Sequence, residues 1–287
     1  MSVHDELGKR MKTFYEQIPK YKLMRRTPVI IRIDGKAFHT FTKGFQKPFD
    51  HVLMKSMQDT MKYLCENIQG CVLGYTQSDE ISLLLIDYKR FNSSAWFDNE
   101  IQKICSISAS MATFSFNKAF NENSDEYCEA WNVEYDYTEA LLSACEKGAM
   151  FDSRCFNIPK EEVANYFYWR QQDATRNSIE MVGQAYFSHK ELHKKTCNMI
   201  QDMLHEQKGI NWNDFSVPEK RGSCCIKETY YIDKETGKER KKDDWLRPEE
   251  EEKYAMRTRW IVDENIPIFK NEGRAYIDDL VNYIEEK

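Results

Sequence analysis

No window of this 287-residue sequence approaches the ~20 uninterrupted apolar residues of a membrane span. Its first residues, Met1-Ser2-Val3-His4-Asp5-Glu6, lack the basic-then-apolar order of a secretion signal. We therefore expect a soluble, cytoplasmic protein with no membrane partner. A basic excess is missing too: the formal net charge is −6, which excludes a chain that coats nucleic acid non-specifically through clustered Lys and Arg. Local basic surface remains open in two places, one at Lys9, Arg10, Lys12, Lys20, Lys22, Arg25 and Arg26, the other at Lys190, Lys194 and Lys195. A solvated helix face is the competing reading of each. No Cys-x-x-Cys pair occurs among the nine cysteines, whose odd number and irregular spacing argue for reduced thiols. His189, His193 and Cys197 have the spacing of one helix face, but a fourth zinc ligand is lacking, so a mixed surface face competes with a metal site. Internal repeats and low-complexity blocks are absent.

What the chain does have is a globular composition, with 41% hydrophobic and 13% aromatic residues, and enough length for one large core or two modest domains. The β-branched run Pro28-Val29-Ile30-Ile31-Arg32-Ile33 predicts a buried strand that stops at Asp34-Gly35, which leaves a carboxylate at a strand end. Asp50 is placed to cap a helix carrying Val52, Leu53, Met57, Met61 and Leu64, ending near Gly70. Two strand-like runs follow, Cys71-Val72-Leu73-Gly74-Tyr75-Thr76 and Ile81-Ser82-Leu83-Leu84-Leu85-Ile86, joined by the polar tetrad Gln77-Ser78-Asp79-Glu80. They predict a hairpin with acids at its tip. A second helix runs through Ile101, Ile104, Ile107, Ser108 and Met111, where Ser106, Ala109, Ser110 and Ala112 are small enough for close approach to a sheet.

One more strand near Phe151 completes an α+β order, βαββαβ, the core of a ferredoxin-like or polymerase-palm antiparallel sheet. We place a catalytic region at residues 1–159. Residues 160–287 read as an α-rich carboxy-terminal appendage forming one integrated unit with it, with a charged hairpin around Gly237 flanked by Tyr230-Tyr231-Ile232-Asp233 and Glu239-Arg240-Lys241-Lys242.

Paired Mg²⁺ ions need hard oxygen ligands, usually one or two carboxylates plus substrate phosphates, and Asp34 and Asp79 are of that type. On spacing alone, Asp-Gly after a strand is equally a turn, and Ser-Asp-Glu equally a plain hairpin tip. Just past Asp34, Lys36 and His39 add cationic groups, and the backbone amides there suit a triphosphate.

Four ordered segments carry a resemblance: Arg32-Ile33-Asp34-Gly35-Lys36-Ala37-Phe38-His39, Gly74-Tyr75-Thr76-Gln77-Ser78-Asp79-Glu80, Phe151-Asp152-Ser153-Arg154 and Tyr168-Trp169-Arg170-Gln171-Gln172-Asp173. Together they resemble the tRNA-His guanylyltransferase superfamily over residues 21–269, including a late Arg257-Thr258-Arg259 similar to its basic strand. The resemblance implies a nucleotidyltransferase with a palm-like layer that adds nucleotides to the 5′ end of tRNA. It implies two Mg²⁺ held by Asp34, Asp79 and the Gly35 carbonyl, with Glu80 completing the catalytic acids. It also implies ATP and GTP as substrates, met by Lys36, Ala37, Phe38, His39 and Ser78 at the triphosphate and by Lys47 at an activating nucleotide's phosphate. Arg154, Arg170 and Asn177 are candidates for RNA contact or structural pairing, and a homotetramer binding tRNA is implied as well.

After Asp173 the sequence reads Thr175-Arg176-Asn177-Ser178-Ile179-Glu180-Met181, where the guanylyltransferases proper carry a His-Ile-Asn-Asn-Leu-Tyr-Asn-like stretch. Only Asn177 matches clearly. The altered stretch resembles the Thg1-like branch, which implies template-dependent 3′-to-5′ addition to truncated tRNA rather than non-templated guanylation of tRNA-His. A nucleotide cyclase lacks support from the Trp169 to Asp173 segment, and an RNA-recognition-like binding module lacks its basic-aromatic strand signature.

Overall fold

The computed structural model describes residues 3–131, 133–241 and 253–282. An amino-terminal helix α1 (Val3–Met11) precedes the first strand, β1 (Val29–Gly35). β1 sends Val29, Ile31 and Ile33 to one face of the sheet and Ile30 to the other. Both faces are covered, which is why its apolar run is nearly unbroken. The short helix α2 (Phe38–Phe41) follows, then α3 (His51–Asn67), whose cap Asp50 accepts the Leu53 amide at 2.8 Å as expected. Strands β2 (Cys71–Gln77) and β3 (Glu80–Leu85) form the hairpin, tighter than the tetrad suggested: Gln77 pairs with Glu80, and the turn is Ser78-Asp79, with Ser78 at φ 50°.

Helix α4 (Ile101–Ala130), helix α5 (Tyr135–Lys147) and strand β4 (Phe151–Asn157) complete the layer. The strands lie in the order β4-β1-β3-β2, all antiparallel, the ferredoxin-like topology expected of a palm. α3 and α4 cover one face. Met57, Met61 and Leu64 of α3 meet Ile104, Ala112 and Phe116 of α4 there, all at most 1% exposed, and each such large side chain contributes ~1.5–3 kcal/mol by burial. The expectation for the small residues of α4 needs correction: Ser106 and Ser110 are exposed, and Ser108, Ala112 and Ser115 are the ones that face inward.

Helix α6 (Lys160–Tyr186) lies across the opposite face through Val163, Ala164 and Phe167. The chain continues with α7 (His189–Leu192), α8 (Cys197–Lys208), α9 (Val217–Arg221) and strand β5 (Ser223–Asp233). β5 extends the same sheet: its start pairs with β2, and its far end pairs with the short β6 (Glu239–Lys241). β7 (Tyr254–Asp263) runs along its other edge, before the helix α10 (Ala275–Val281). Tyr230 to Ile232 and Glu239 to Lys241 pair as the predicted hairpin, with an exposed turn at residues 234–238, and Lys242 lies outside the described residues. The sheet does not stop at residue 159, since strands from both regions hydrogen-bond within it. His189, His193 and Cys197 do not share a helix face: α7 ends at Leu192, Lys194 takes φ 60°, and Thr196 caps a new helix at Cys197.

Candidate active site

Sheet register builds the acidic site. Asp34 on β1 lies opposite Asp152 on β4 and Glu80 on β3, so three carboxylates stand abreast on the face under α6. Two residues further into each strand, and so on the same face, Arg32 lies opposite Arg154 and Ser82. Each acid thus has a cation beside it. Arg154 donates to Asp152 at 2.9 Å and sits 4.0 Å from Asp34, while Arg32 is 3.6 Å from Asp34 and 2.6 Å from Glu80. The Nε of Arg32 is buried with no hydrogen-bond partner.

Glu80 does not join the open carboxylates. It is 4% exposed, and Arg170 of α6 grips it through Nε to Oε1 and Nη2 to Oε2, both at 2.7 Å. Burial opposes the Arg170 charge, but Glu80 outweighs it, and the guanidinium is held above its usual range. Arg170 also reaches Asp173 at 3.0 Å, and Tyr166, one turn earlier, pairs with Ser82 at 2.8 Å. Burial pushes the Tyr166 hydroxyl up to about 12, which keeps it a donor. Of the two roles left open for Arg170, the geometry shows carboxylate pairing, and Arg154 likewise pairs with Asp152.

Asp79 is different. It is half-buried at the turn, and its carbonyl accepts the Gly35 amide at 3.0 Å, which locks the hairpin tip to the end of β1. Burial lifts its carboxyl above the usual range, and the charge of nearby Asp34 adds to the lift. Two carboxylates thus share a partly desolvated corner, with Arg32 and Arg154 approaching only the Asp34 side at 3.6 and 4.0 Å among the ion pairs of the described residues. Among the described residues no three His, Cys, Asp or Glu side chains converge on a metal by themselves. The donor set of Asp34, Asp79 and the Gly35 carbonyl nevertheless suits Mg²⁺, which takes few protein oxygens and leaves positions for phosphates and water.

The turn after β1 is set by Phe38. Its ring is buried against Phe41, Phe116 and Phe151 at centroid distances of 5.1, 5.6 and 5.2 Å, so only its main chain is left for a ligand. A Cβ on Gly35 would lie 2.3 Å from that ring, which gives the glycine a packing reason beside any approach to phosphate. Lys36, Ala37 and His39 are exposed, and Ala37 takes the left-handed conformation at φ 55°.

At the hairpin a solvent-open cleft lies between Thr76, Gln77 and Ser78, α3 (Leu53, Met54, Met57), α6 (Ala174, Asn177, Met181) and the α9–β5 junction (Arg221, Gly222). Ser78 and Asn177, far apart in sequence, line it together. Lys47 does not. It faces a second cavity with His189, His193, Lys194 and Lys195, while its neighbours Phe49 and Asp50 line the first.

The sequence model of the tRNA(His) guanylyltransferase family matches residues 8–159. The chain belongs to this family. It is a nucleotidyltransferase, and its sheet and helices superpose on a bacterial tRNA(His) guanylyltransferase (Thg1)-like protein in complex with ATP, at TM-score 0.74 and 40% identity over 98% of this chain and 99% of that one. The complex of a bacterial Thg1-like protein with GTP gives TM-score 0.70 at 40% identity, over 96% and 99%. The tRNA(His) guanylyltransferase of Debaryomyces hansenii is 27% identical over 77% of this chain and 82% of its own. Within the family frame, sequence reasoning had the acids and the hairpin but not the Asp152-Asp34-Glu80 row or the part Arg32 plays in it. The signal was there as Arg-x-Asp in β1 and Asp-x-Arg in β4, alternations that put each pair on one face.

Proposed function

We propose that this guanylyltransferase-family protein adds nucleotides in the 3′-to-5′ direction to the 5′ end of truncated tRNA, copying the opposite strand. One observation carries the reading: two carboxylates, Asp34 and Asp79, lie near enough at a strand end for the charge of one to act on the other, next to Ser78 on the wall of an open cleft. The likeness to bacterial Thg1-like proteins at 40% identity across nearly the whole chain, against 27% for the Debaryomyces enzyme, supports the repair branch over obligatory guanylation. ATP and GTP are the proposed substrates, because the bacterial Thg1-like structures are complexes with them.

In the first step a 5′-monophosphate oxygen of the RNA attacks the α-phosphate of ATP and expels pyrophosphate. In the second, the 3′-hydroxyl of the incoming nucleotide attacks the RNA 5′-phosphate and expels AMP. Mg²⁺ held by Asp34, Asp79 and the Gly35 carbonyl would lower the pKa of the attacking hydroxyl and stabilise the leaving phosphate. Lys36 and the amides of the turn through His39 take the triphosphate charge. Ser78 and Asn177 position the nucleotide from opposite walls of the cleft. Glu80 acts from behind, by fixing the start of β3 against Arg170.

The test supplies 5′-monophosphorylated tRNA lacking its first nucleotide, with ATP, labelled nucleotides and Mg²⁺. We expect a product one residue longer whose base follows the opposing strand. No extension by the folded protein would sink the proposal, and guanylate added whatever the opposing base would favour non-templated action on tRNA-His instead. Asp34→Ala and Asp79→Ala should each abolish extension while melting like the parent.

A further inference from the structure

Side-chain bonds fasten α4 along the edge of the sheet. Ser108 pairs with Ser153 of β4 at 2.7 Å, Thr113 accepts the Phe151 amide at 3.2 Å, and Asn117 donates to the Ala149 carbonyl at 3.0 Å. Residues two apart in a strand share a face, so Phe151, Ser153 and Cys155 all point toward α4. Just before Ser108 in this ladder, Cys105 lies on Cys155 with the two sulfurs 3.7 Å apart. A disulfide brings sulfurs to ~2.05 Å, which rotation of the two side chains and a small approach of the backbones would supply.

All nine cysteines are free, and this pair differs from the rest in access and alignment. Cys65, Cys71, Cys224 and Cys225 are at most 5% exposed, closed to an oxidant dissolved in water. Cys145, although near Cys128, turns its sulfur to Ser124. Cys105 and Cys155 are both half-buried, on two elements that the neighbouring bonds already hold together.

We propose that Cys105 and Cys155 are a covalent modification site, closed to a disulfide by hydrogen peroxide and reopened by thiols, and that the closed form slows nucleotide transfer. Burial and the neighbouring Cys105 push the Cys155 thiol up to about 12, so Cys155 stays protonated and Cys105 takes the first step. The Cys105 thiolate attacks one peroxide oxygen and breaks the O–O bond, giving a sulfenic acid and a hydroxide that recovers the proton Cys105 had released. The Cys155 sulfur then displaces the sulfenic hydroxyl, which leaves with the Cys155 proton as water. Two thiols lose two electrons and two protons, and one peroxide becomes two waters.

The link to the reaction is Arg154. It directly precedes Cys155 and leaves the opposite face of β4, where it donates to Asp152 at 2.9 Å and stands 4.0 Å from Asp34. β4 is the outermost strand on its side of the sheet, so drawing Cys155 onto α4 retracts Arg154 from the acids. A misplacement of ~1 Å at a reacting centre costs ~100-fold, and one relayed through Arg154 should cost ~10-fold. The disulfide is independent of the reaction proposed above, whereas its effect on rate rests on that reading.

The experiment treats the full reduced chain with stoichiometric hydrogen peroxide. Its mass should fall by ~2 Da, and trypsin should release residues 104–118 joined to 155–160, each with one cysteine, until dithiothreitol separates them. Extension of the truncated tRNA should slow ~10-fold in the closed form and recover with dithiothreitol. Cys105→Ser and Cys155→Ser should each lack the joined peptides and keep the rate of the reduced parent after peroxide. Unjoined peptides in oxidised protein, or either cysteine carried on to a sulfinic acid instead, would overturn the proposal. Joined peptides with an unchanged rate would overturn the control of transfer. Mass and peptide joining decide the disulfide even where no extension occurs, so its failure and that of the proposed reaction are read separately.

Discussion

Glu80 sits one residue from Asp79 and does the opposite job. Asp79 turns outward at the hairpin tip, whereas Glu80 begins β3 and points under α6, where Arg170 and Arg32 take both its oxygens. Its side chain is 5% exposed and that of Arg170 4%, so these charges are desolvated and depend on each other. Removing one partner of a buried pair leaves the other charge uncompensated at a cost of about 3–5 kcal/mol. Glu80→Ala should therefore lower the unfolding free energy in urea by about that amount, with Arg170 and Arg32 both stranded. Its loss of activity should not be recovered by raising Mg²⁺. If Glu80→Ala were as stable as the parent and high Mg²⁺ rescued its turnover, the carboxylate would be a metal ligand after all.

At the scale of elements, the end of β1 packs on α2 where the Phe38 ring lies over Gly35. A methyl at position 35 would fall 2.3 Å from that ring, and the ring is held on its other sides by Phe41, Phe116 and Phe151. Gly35→Ala should cost about 1–3 kcal/mol, the usual range for overpacking. By shifting the turn through His39 it should also raise the KM for the triphosphate more than it lowers kcat. Urea denaturation and initial rates read the two effects, and an unchanged KM would remove the turn from the triphosphate site. The sequence made β1, the hairpin and the Asp50 cap legible, because each is announced locally by a β-branched run, a turn or a capping carboxylate. It left the first half of β5 hidden, and β7 was signalled only through the resemblance at Arg257-Thr258-Arg259. Lys227, Glu228, Arg257 and Arg259 give these strands no clean alternation, and β5 becomes a strand because its Cys224 and Cys225 complete the edge of β2, a pairing some 150 residues distant in sequence. The inward side of α4 was misjudged for a related reason: with Ile107 and Phe114 exposed, apolar periodicity does not single out one side of that helix.

Across the whole molecule, the acids come from the first half of the chain and the far wall of the cleft from the second. Asp34, Ser78 and Asp79 belong to β1 and the hairpin, while Ala174, Asn177, Met181 and Arg221 close the cleft from α6 and α9. Among the described residues no helix is long and apolar enough to cross a membrane, and the sheet joins the two halves by backbone hydrogen bonds. A nucleotide bound in the cleft would touch both halves and hold them together. A ligand that binds only the folded state stabilises it by RT ln(1 + [L]/Kd), about 2.7 kcal/mol at a hundredfold excess over Kd. ATP with Mg²⁺ should thus raise the melting temperature by several degrees, at roughly 2–4 °C per kcal/mol for a chain approaching this size. The Mg²⁺-dependent part of that rise should vanish in Asp34→Ala and Asp79→Ala, because these two carboxylates, whose charges oppose each other at the strand end, are the residues that would hold the ion. Asn177→Ala should keep the Mg²⁺ dependence and weaken the nucleotide alone, since it lies on the opposite wall. Scanning fluorimetry with ATP, Mg²⁺ and both together separates these contributions. An equal rise with ATP in the presence of chelator, in the parent and in Asp79→Ala alike, would place the nucleotide elsewhere on the protein.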